Sequence, residues 1–557
     1  MKQVAEKRDR VVIWLLGGLL FRTICALFLF PGFDEAYYYL YARNLAWSYF
    51  DHPLIVALTT RLGLSLTGSI SQFTIRIGAL LLYTASLYLF YKLAVRLFSV
   101  RAGLIALAIA TVTPLFNISF GILTSPENGL IFFWTASLYC AVAEFFPPSR
   151  RLATGASAEA QRHYKSYQPS YRLAILGVLL GLTCLSKYHG FVLALGILGF
   201  LLTSPRHRAG LRSPWMVTAL GAFLITLFPL WFWNAQYDWI SFRFQLFMRF
   251  SGGGSAFNPL NALLGLLGTW AMGVGYLFPT VALPLWWVTL KSLNQQRDRF
   301  SRRSFSTEES LWFDQQALIL WTSLPVMLGF TLLGGVTQIL PAWPAPGFWG
   351  MTLLLAHHTS LWQRRARRRI RRWIGGTGAV VAGLLLFALL HISTGTLQKP
   401  GQYALFGGFV PPQADPSREL INIAELRQRF RDTPALAEAL ASATFVFTNE
   451  YYLGGYIDMA LRPLTDIPIT AFTGDPRGFA FWTPAQQAWL GGNALYITLE
   501  RFAEQPEISD RFTSYFERLE LVGTAPIRRG GEPTEIFYVF LAEGFKQPYD
   551  YPYGVGS

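Results

Sequence analysis

The sequence predicts a polytopic α-helical membrane protein that carries a C-terminal α/β domain. Three observations predict it. Hydrophobic residues make up 52% of the chain and charged ones only 14%, against about 25% charged in a soluble domain. Apolar runs of bilayer-crossing length recur through the first 393 residues. After Ser393 those runs shorten and strand-forming stretches replace them.

A spanning helix needs about 20 predominantly apolar residues. Runs near that length are Val11–Pro31, Ile75–Phe98, Ala102–Phe120, Leu130–Phe146, Trp215–Trp233, Met272–Leu290, Trp343–Leu361 and Ile374–Ile392. The first contains Arg22 and no small-x-small cleavage site, so it reads as an uncleaved span and not a signal peptide. Leu173–Ser186 and Phe191–Leu202 are shorter and flank Lys187-Tyr188-His189. They read as two helices meeting at a polar turn, because one unbroken helix would leave Lys187 near mid-membrane. Ala317–Leu333 brings the expectation to about eleven spans.

The net charge of +15 invites a nucleic-acid reading, but its distribution argues otherwise. Residues 1–393 hold 34 Lys+Arg against 13 Asp+Glu, whereas residues 394–557 hold 13 against 19. With the N-terminus inside, 27 of those 34 basic residues fall in alternate segments: 1–10, 92–101, 147–172, 205–214, 291–316 and 362–373. This is the positive-inside asymmetry. It predicts a cytoplasmic N-terminus and, with about eleven spans, an extracytoplasmic C-terminal domain; the compact loops and the lack of organelle-targeting signals point to a cell inner membrane. The arginine run 364–372 then reads as a topology anchor against anionic lipid.

The division expected is a membrane domain over 1–393 and an outer α/β domain over 394–557. In the latter, β-formers at Thr444–Thr448, Ile467–Phe472, Ala494–Leu499, Leu519–Ala525 and Ile536–Leu541 alternate with helical patterns at Arg418–Phe430, Tyr451–Leu461, Pro484–Leu490 and Asp510–Arg518. Alternation of this kind predicts a largely parallel sheet. Gly454-Gly455 lies inside a helical pattern, and no phosphate-loop motif suggests an ATP-driven pump. Cys25, Cys140 and Cys184 all fall in predicted spans, so the outer domain has no disulfide framework. No Cys/His pattern reads as a zinc site.

Five acidic residues of the membrane part sit on the outer side: Asp34, Glu35, Asp51, Glu127 and Asp238. Asp34-Glu35 opens an amphipathic, tyrosine-rich segment expected to lie as a helix at the outer interface. Glu127 follows Thr124-Ser125-Pro126 in a short outer turn, and Lys187 supplies a cation on the same face. Each has a plain structural reading. Asp34 or Glu127 can cap a helix, Lys187 can snorkel, and Trp343 can anchor at the interface. Their coincidence on one face points instead to a site for an acceptor proton and a phosphate leaving group.

These residues carry a resemblance. Phe33-Asp34-Glu35-Ala36-Tyr37-Tyr38 with Tyr49-Phe50-Asp51-His52-Pro53-Leu54 resembles the first outer loop of the family 39/83 glycosyltransferases. That group of GT-C-fold enzymes includes protein O-mannosyltransferases and lipid A aminoarabinose transferases. Similar segments follow in order: Thr124–Asn128, Leu185–Tyr188, Pro229–Asn234 with Trp239 and Gln245, and Leu340–Pro346. The resemblance implies inverting transfer of a sugar from a polyprenyl-phosphate donor to a hydroxyl of a lipid, glycan or protein. It implies Asp34 as general base and Glu35 as an orienting or substrate-binding group. Lys187 and Arg43 would stabilise charge on the leaving phosphate, and His52, Glu127, Tyr188, Asn234 and Trp343 would line the substrate site. Glu127 stands where relatives often have Asp, and Pro53-Leu54 where many have two prolines. Whether a divalent metal assists the carboxylates is left open. The competing readings are a lipid-linked-sugar flippase or transporter and a non-catalytic scaffold.

Overall fold

The structure is a computed structural model that describes residues 2–146, 167–248, 258–301 and 305–554. Residues 147–166 of the inside segment expected over 147–172, and Gly252-Gly253-Gly254, lie outside the described residues. The chain forms two compact units, which do not simply follow chain order. One comprises residues 1–23, 52–55 and 79–383; the other comprises 24–51, 56–78 and 384–557.

The first unit is helical. Among the described residues, five helices are long and apolar enough to cross a membrane: Asp9–Phe28, Thr74–Leu97, Pro259–Leu277, Thr307–Leu333 and Ala345–Thr394. Two further candidates are bent pairs. Val100–Val112 and Pro114–Ile122 meet at 74° because Pro114 supplies no N–H and Thr113 before it is extended (ψ 117°). Asn117 repairs part of the break, donating to the carbonyls of Thr111 (2.7 Å) and Thr113 (3.0 Å). Pro214–Thr226 and Phe228–Gln236 meet at 47° next to Pro229. Arg172–Ser186 and Gly190–Thr203 are separate, shorter apolar helices with Lys187-Tyr188-His189 between them, as the polar turn requires. Outward-facing Ile13, Leu20, Val217 and Ile225 are more than half exposed, a surface suited to lipid. The core is aromatic around Trp349, whose indole donates to Thr135 Oγ1 (3.0 Å) between the rings of Phe90 and Phe116.

Two expected elements differ. Met272–Leu290 is not one span. Helix Pro259–Leu277 ends at Phe278, which takes φ 72°, and a new helix runs Pro279–Ser301. The apolar window straddled this break, since Pro279 is welcome at a helix start but not inside one. The segment 362–373 is not a loop. Ala345–Thr394 is helical for 50 residues, interrupted only at Ala366 (φ −137°, ψ 45°). Arginine is a good helix former, and the seven arginines of the run are all exposed, so charge alone does not end the helix.

The second unit holds a five-stranded sheet. Its strands are β1 (Phe445–Thr448), β2 (Ile469–Ala471), β3 (Ala494–Leu499), β4 (Arg518–Arg529) and β5 (Glu532–Glu543), ordered β2-β1-β3-β5-β4. β1 pairs in parallel with β2 and β3, while β3–β5 and β4–β5 are antiparallel. The sheet is therefore mixed and not largely parallel. The cause is a long hairpin: Gly530 and Gly531 both take positive φ (58° and 87°), as a two-residue turn between twisted strands demands. The pattern expected at Asp510–Arg518 is displaced, with the helix at Pro506–Thr513 and Arg518 already in β4. Pro484–Leu490 holds only a 3-10 turn, Gln486–Trp489. Tyr451–Leu461 and Ala494–Leu499 form as the pattern predicts.

Candidate active site

In the second unit, the helix Phe33–Arg43 presents the acidic pair. Gly32 holds the capping position, and Glu35 Oε2 accepts its N–H at 3.3 Å. The same carboxylate meets Arg76 in a fork, Nε to Oε1 at 2.7 Å and Nη2 to Oε2 at 2.5 Å. Arg76 is fully buried and also donates to the carbonyls of Ala26, Leu29 and Phe30. Those carbonyls lie at the end of the first helix, where no intrahelical donor remains. Glu35 is thus an anchored, charge-compensated group. Asp34, one residue earlier, is exposed, and Arg43 is exposed in the last turn of the same helix.

Asp51 forms a second buried node, 3% exposed. It accepts from the phenols of Tyr41 and Tyr37 and pairs with Arg477 Nη1 at 3.0 Å. Burial and the neighbouring Asp51 charge push both phenols well above their ordinary pKa. Arg477 sits at φ 45° in Asp475-Pro476-Arg477-Gly478, its guanidinium 4.0 Å from the centre of the Tyr451 ring. The Gly478 N–H donates to Tyr37 (3.1 Å). Sequence reading missed Arg477 and the role of Arg76; the Asp-Pro-x-Gly turn was the one available signal for the former.

In the first unit, helix Pro126–Phe145 begins with Asn128 Oδ1 accepting the Ser125 N–H (2.7 Å). Asn128 Nδ2 donates to the carbonyls of Phe120 and Leu123. Glu127 is therefore not needed as the cap. Its carboxylate binds Lys187 Nζ, and both side chains are more than nine-tenths buried. Gly129 makes this possible: a Cβ there would stand 2.4 Å from Ile55 Cγ2 and 2.8 Å from Ser186 Oγ. That close approach brings the start of one helix to the end of the other. His52 lies near enough for its charge to act on Glu127.

The remaining expected residues hold local structure. Tyr188 is half-buried with its ring edge-on to Phe242 (5.7 Å). Asn234 is fully buried, donating to Leu230 O (3.0 Å) and accepting from Ser241 N (3.2 Å) and, through its own carbonyl, Trp239 N (2.8 Å). It ties down a turn in which Asp238 and Trp239 both take left-handed φ. Trp343 packs edge-on against Phe330 (5.7 Å). The structure so brings together Glu127, Lys187 and His52 in one cluster, and Asp34 and Glu35 on one helix in the other unit. Among the described residues, no group of three or more His, Cys, Asp or Glu is arranged to hold a metal ion.

Comparison with known proteins supplies the context for this arrangement. Residues 51–145 and 161–233 match a family described as dolichyl-phosphate-mannose-protein mannosyltransferase. The chain is 24% identical over 501 residues to the lipid A galacturonosyltransferase RgtD of Rhizobium johnstonii, covering 86% of this chain and 95% of that protein. Its fold is similar to that of ArnT from Cupriavidus metallidurans. The apo structure superposes with a TM-score of 0.57 at 13% identity, covering 95% of this chain and 97% of ArnT. The undecaprenyl-phosphate-bound structure gives 0.56 at 12% identity with the same coverage.

Proposed function

We infer that this multi-pass membrane glycosyltransferase of the GT-C fold moves a sugar, with inversion, from a polyprenyl-phosphate donor to an acceptor hydroxyl on the outer membrane face. The observation that carries the phosphate half of this reading is the buried Glu127–Lys187 pair beside His52. A lysine held out of water is an expensive arrangement unless it meets an anion. Glu127 stores that charge ready for use when a phosphate arrives. Support for a lipid carrier comes from the ArnT structure bound to undecaprenyl phosphate, and for a lipid-linked saccharide acceptor from RgtD, a lipid A transferase.

The acceptor oxygen attacks the anomeric carbon, and the bond from that carbon to the phosphate oxygen breaks. The electron pair leaves with polyprenyl phosphate, and the hydroxyl proton passes to Asp34. General-base assistance of this kind is worth about 10²–10⁴-fold. Asp34 suits the task because it is exposed while Glu35 beside it is committed to Arg76. Lys187, with Arg43, meets the charge that grows on the departing phosphate, where preorganised electrostatics acts most strongly. Tyr188, Asn234 and Trp343 shape the surroundings. We place the N-terminus in the cytoplasm, about eleven spans over residues 1–393, and residues 394–557 as an outer domain of an inner-membrane enzyme.

The test is release of free polyprenyl phosphate by the protein in nanodiscs, given a panel of polyprenyl-phosphate sugars and an outer-face lipid and glycan extract. Acceptor-dependent release that Asp34→Asn abolishes without unfolding is expected. Absence of release from every donor would move the flippase or scaffold reading ahead.

A further inference from the structure

The sheet of the second unit changes direction at one point. From β1 the chain crosses to β2 on one side, and from β3 it passes to β4 and β5 on the other. In open α/β sheets the crevice outside the carboxyl ends of two such strands is where ligands bind. Here that crevice is present as a narrow cleft open to solvent. Leu499 and Arg501 border it from the end of β3, Tyr452 and Tyr456 from the helix after β1, and Glu535 from β5. Phe33, the residue before Asp34, closes one side.

Its chemistry is specific. Glu535 is 7% exposed and its Oε1 accepts no hydrogen bond, although Arg418 Nε stands 3.2 Å away and Arg501 Nη1 3.8 Å. The two guanidinium groups compensate the charge of this oxygen without a well-aligned hydrogen bond, which leaves it acceptor capacity that a ligand hydroxyl would fill. Of the charged residues that line the cleft, Glu419 and Glu535 are acidic and Arg501 is basic, so the lining carries one excess negative charge. That disfavours a phosphate or a uronate. Phe33 (37% exposed) and Tyr452 stand 5.6 Å apart and offer apolar ring surface beside these polar groups. Aromatic surface next to a hydroxyl-seeking carboxylate is complementary to an uncharged sugar ring, which has one C–H face and a rim of hydroxyls. The Asp34 charge bears on both Tyr451 and Tyr456.

We propose that this cleft is a subsite for a neutral sugar ring of the acceptor, holding the saccharide whose hydroxyl Asp34 deprotonates. This rests on the transferase reading above. The donor sugar needs no part of it. Tyr452 and Glu535 act as binding residues, setting acceptor affinity and not the chemical step.

The experiment has two arms. Ligand-observed saturation-transfer NMR on the full chain in nanodiscs uses a methyl hexoside, a methyl hexosaminide and a methyl hexuronide as probes. The hexoside is expected to bind, the hexuronide not, and Tyr452→Ala and Glu535→Gln to abolish the signal. This arm needs no turnover, so it stands or falls apart from the transferase reading. Kinetics is the second arm: both variants are expected to raise the acceptor KM about tenfold, with the donor KM and the donor's hydrolysis by water unchanged. Equal hexoside binding by wild type and Tyr452→Ala, hexuronide binding as strong as hexoside, or an unchanged acceptor KM would each overturn the subsite. An active Asp34→Asn enzyme would remove the base assignment while leaving the NMR result to decide the cleft. A thermal midpoint for each variant separates lost binding from lost fold.

Discussion

Arg76 grips Glu35 with two hydrogen bonds and, with its remaining donors, the carbonyls that end the first helix. One guanidinium thus fixes the helix that carries Asp34 to the end of a membrane helix. Removing one partner of such a buried pair strands the other, at a cost of about 3–5 kcal/mol. Arg76→Gln is expected to lower the thermal midpoint of the protein in nanodiscs accordingly. Adding Glu35→Gln should recover part of the loss, because the stranded charge is gone. If Glu35 touches substrate instead, Glu35→Gln alone would cut turnover with its midpoint intact.

Lys187→Met should reduce turnover by about 10²–10³-fold, the usual effect of deleting one charge-stabilising donor. It also leaves Glu127 buried without its partner, so a stability loss accompanies it. The pair Glu127→Gln with Lys187→Met separates the two effects. Stability should return and turnover should not. Turnover that recovers in the double variant would reduce Lys187 to a structural role.

Much of this was legible in the sequence. Lys187-Tyr188-His189 announced a break, because a lysine cannot sit unaided at mid-membrane, and the helices end and begin there as expected. Tyr451–Leu461 and Ala494–Leu499 were readable from periodicity alone. What was not legible depends on partners distant in sequence. Hydropathy averages over a window, so it hid the Phe278 break inside an apolar run and could not tell a basic loop from the exposed arginines of a continuous helix. The resemblance separates the roles of Asp34 and Glu35, but the partner that commits Glu35, Arg76, lies 41 residues on. Arg477 lies 426 residues from Asp51, beyond any local pattern.

Gly455 tests the packing of the helix that bears Asp34. A Cβ at Gly455 would stand 2.3 Å from the Ala36 carbonyl oxygen, a backbone atom that cannot swing away. Gly455→Ala should cost about 1–3 kcal/mol as overpacking and reduce turnover by displacing Asp34. Gly268→Ala is the control. Its site lies inside the helix Pro259–Leu277 with nothing within 4 Å, and the substitution should stabilise by up to about 1 kcal/mol. Measuring both midpoints and both rates separates a steric effect from a general glycine effect.

Acid should weaken the second unit through Asp415. Burial works to raise the carboxyl's pKa, but hydrogen bonds from Ser417 and His391 and the charge of Arg529 outweigh it and hold it below its usual value. The contacts are short: His391 Nε2 at 2.9 Å, Arg529 Nη1 at 3.1 Å, Ser417 N at 2.8 Å and Ser417 Oγ at 2.7 Å. A carboxylate whose pKa is depressed by folding adds stability that is complete above its unfolded pKa, about 3.9. That contribution disappears as pH falls through the lower folded value. Asp415→Asn should therefore be less stable than wild type at pH 7, and the gap should close as pH drops below about 4. Thermal unfolding followed by tryptophan fluorescence across pH 3–7 reads this directly. A gap that stays constant down to pH 3 would mean that shape and hydrogen bonding, not the charge on Asp415, hold the end of the last membrane helix to the sheet.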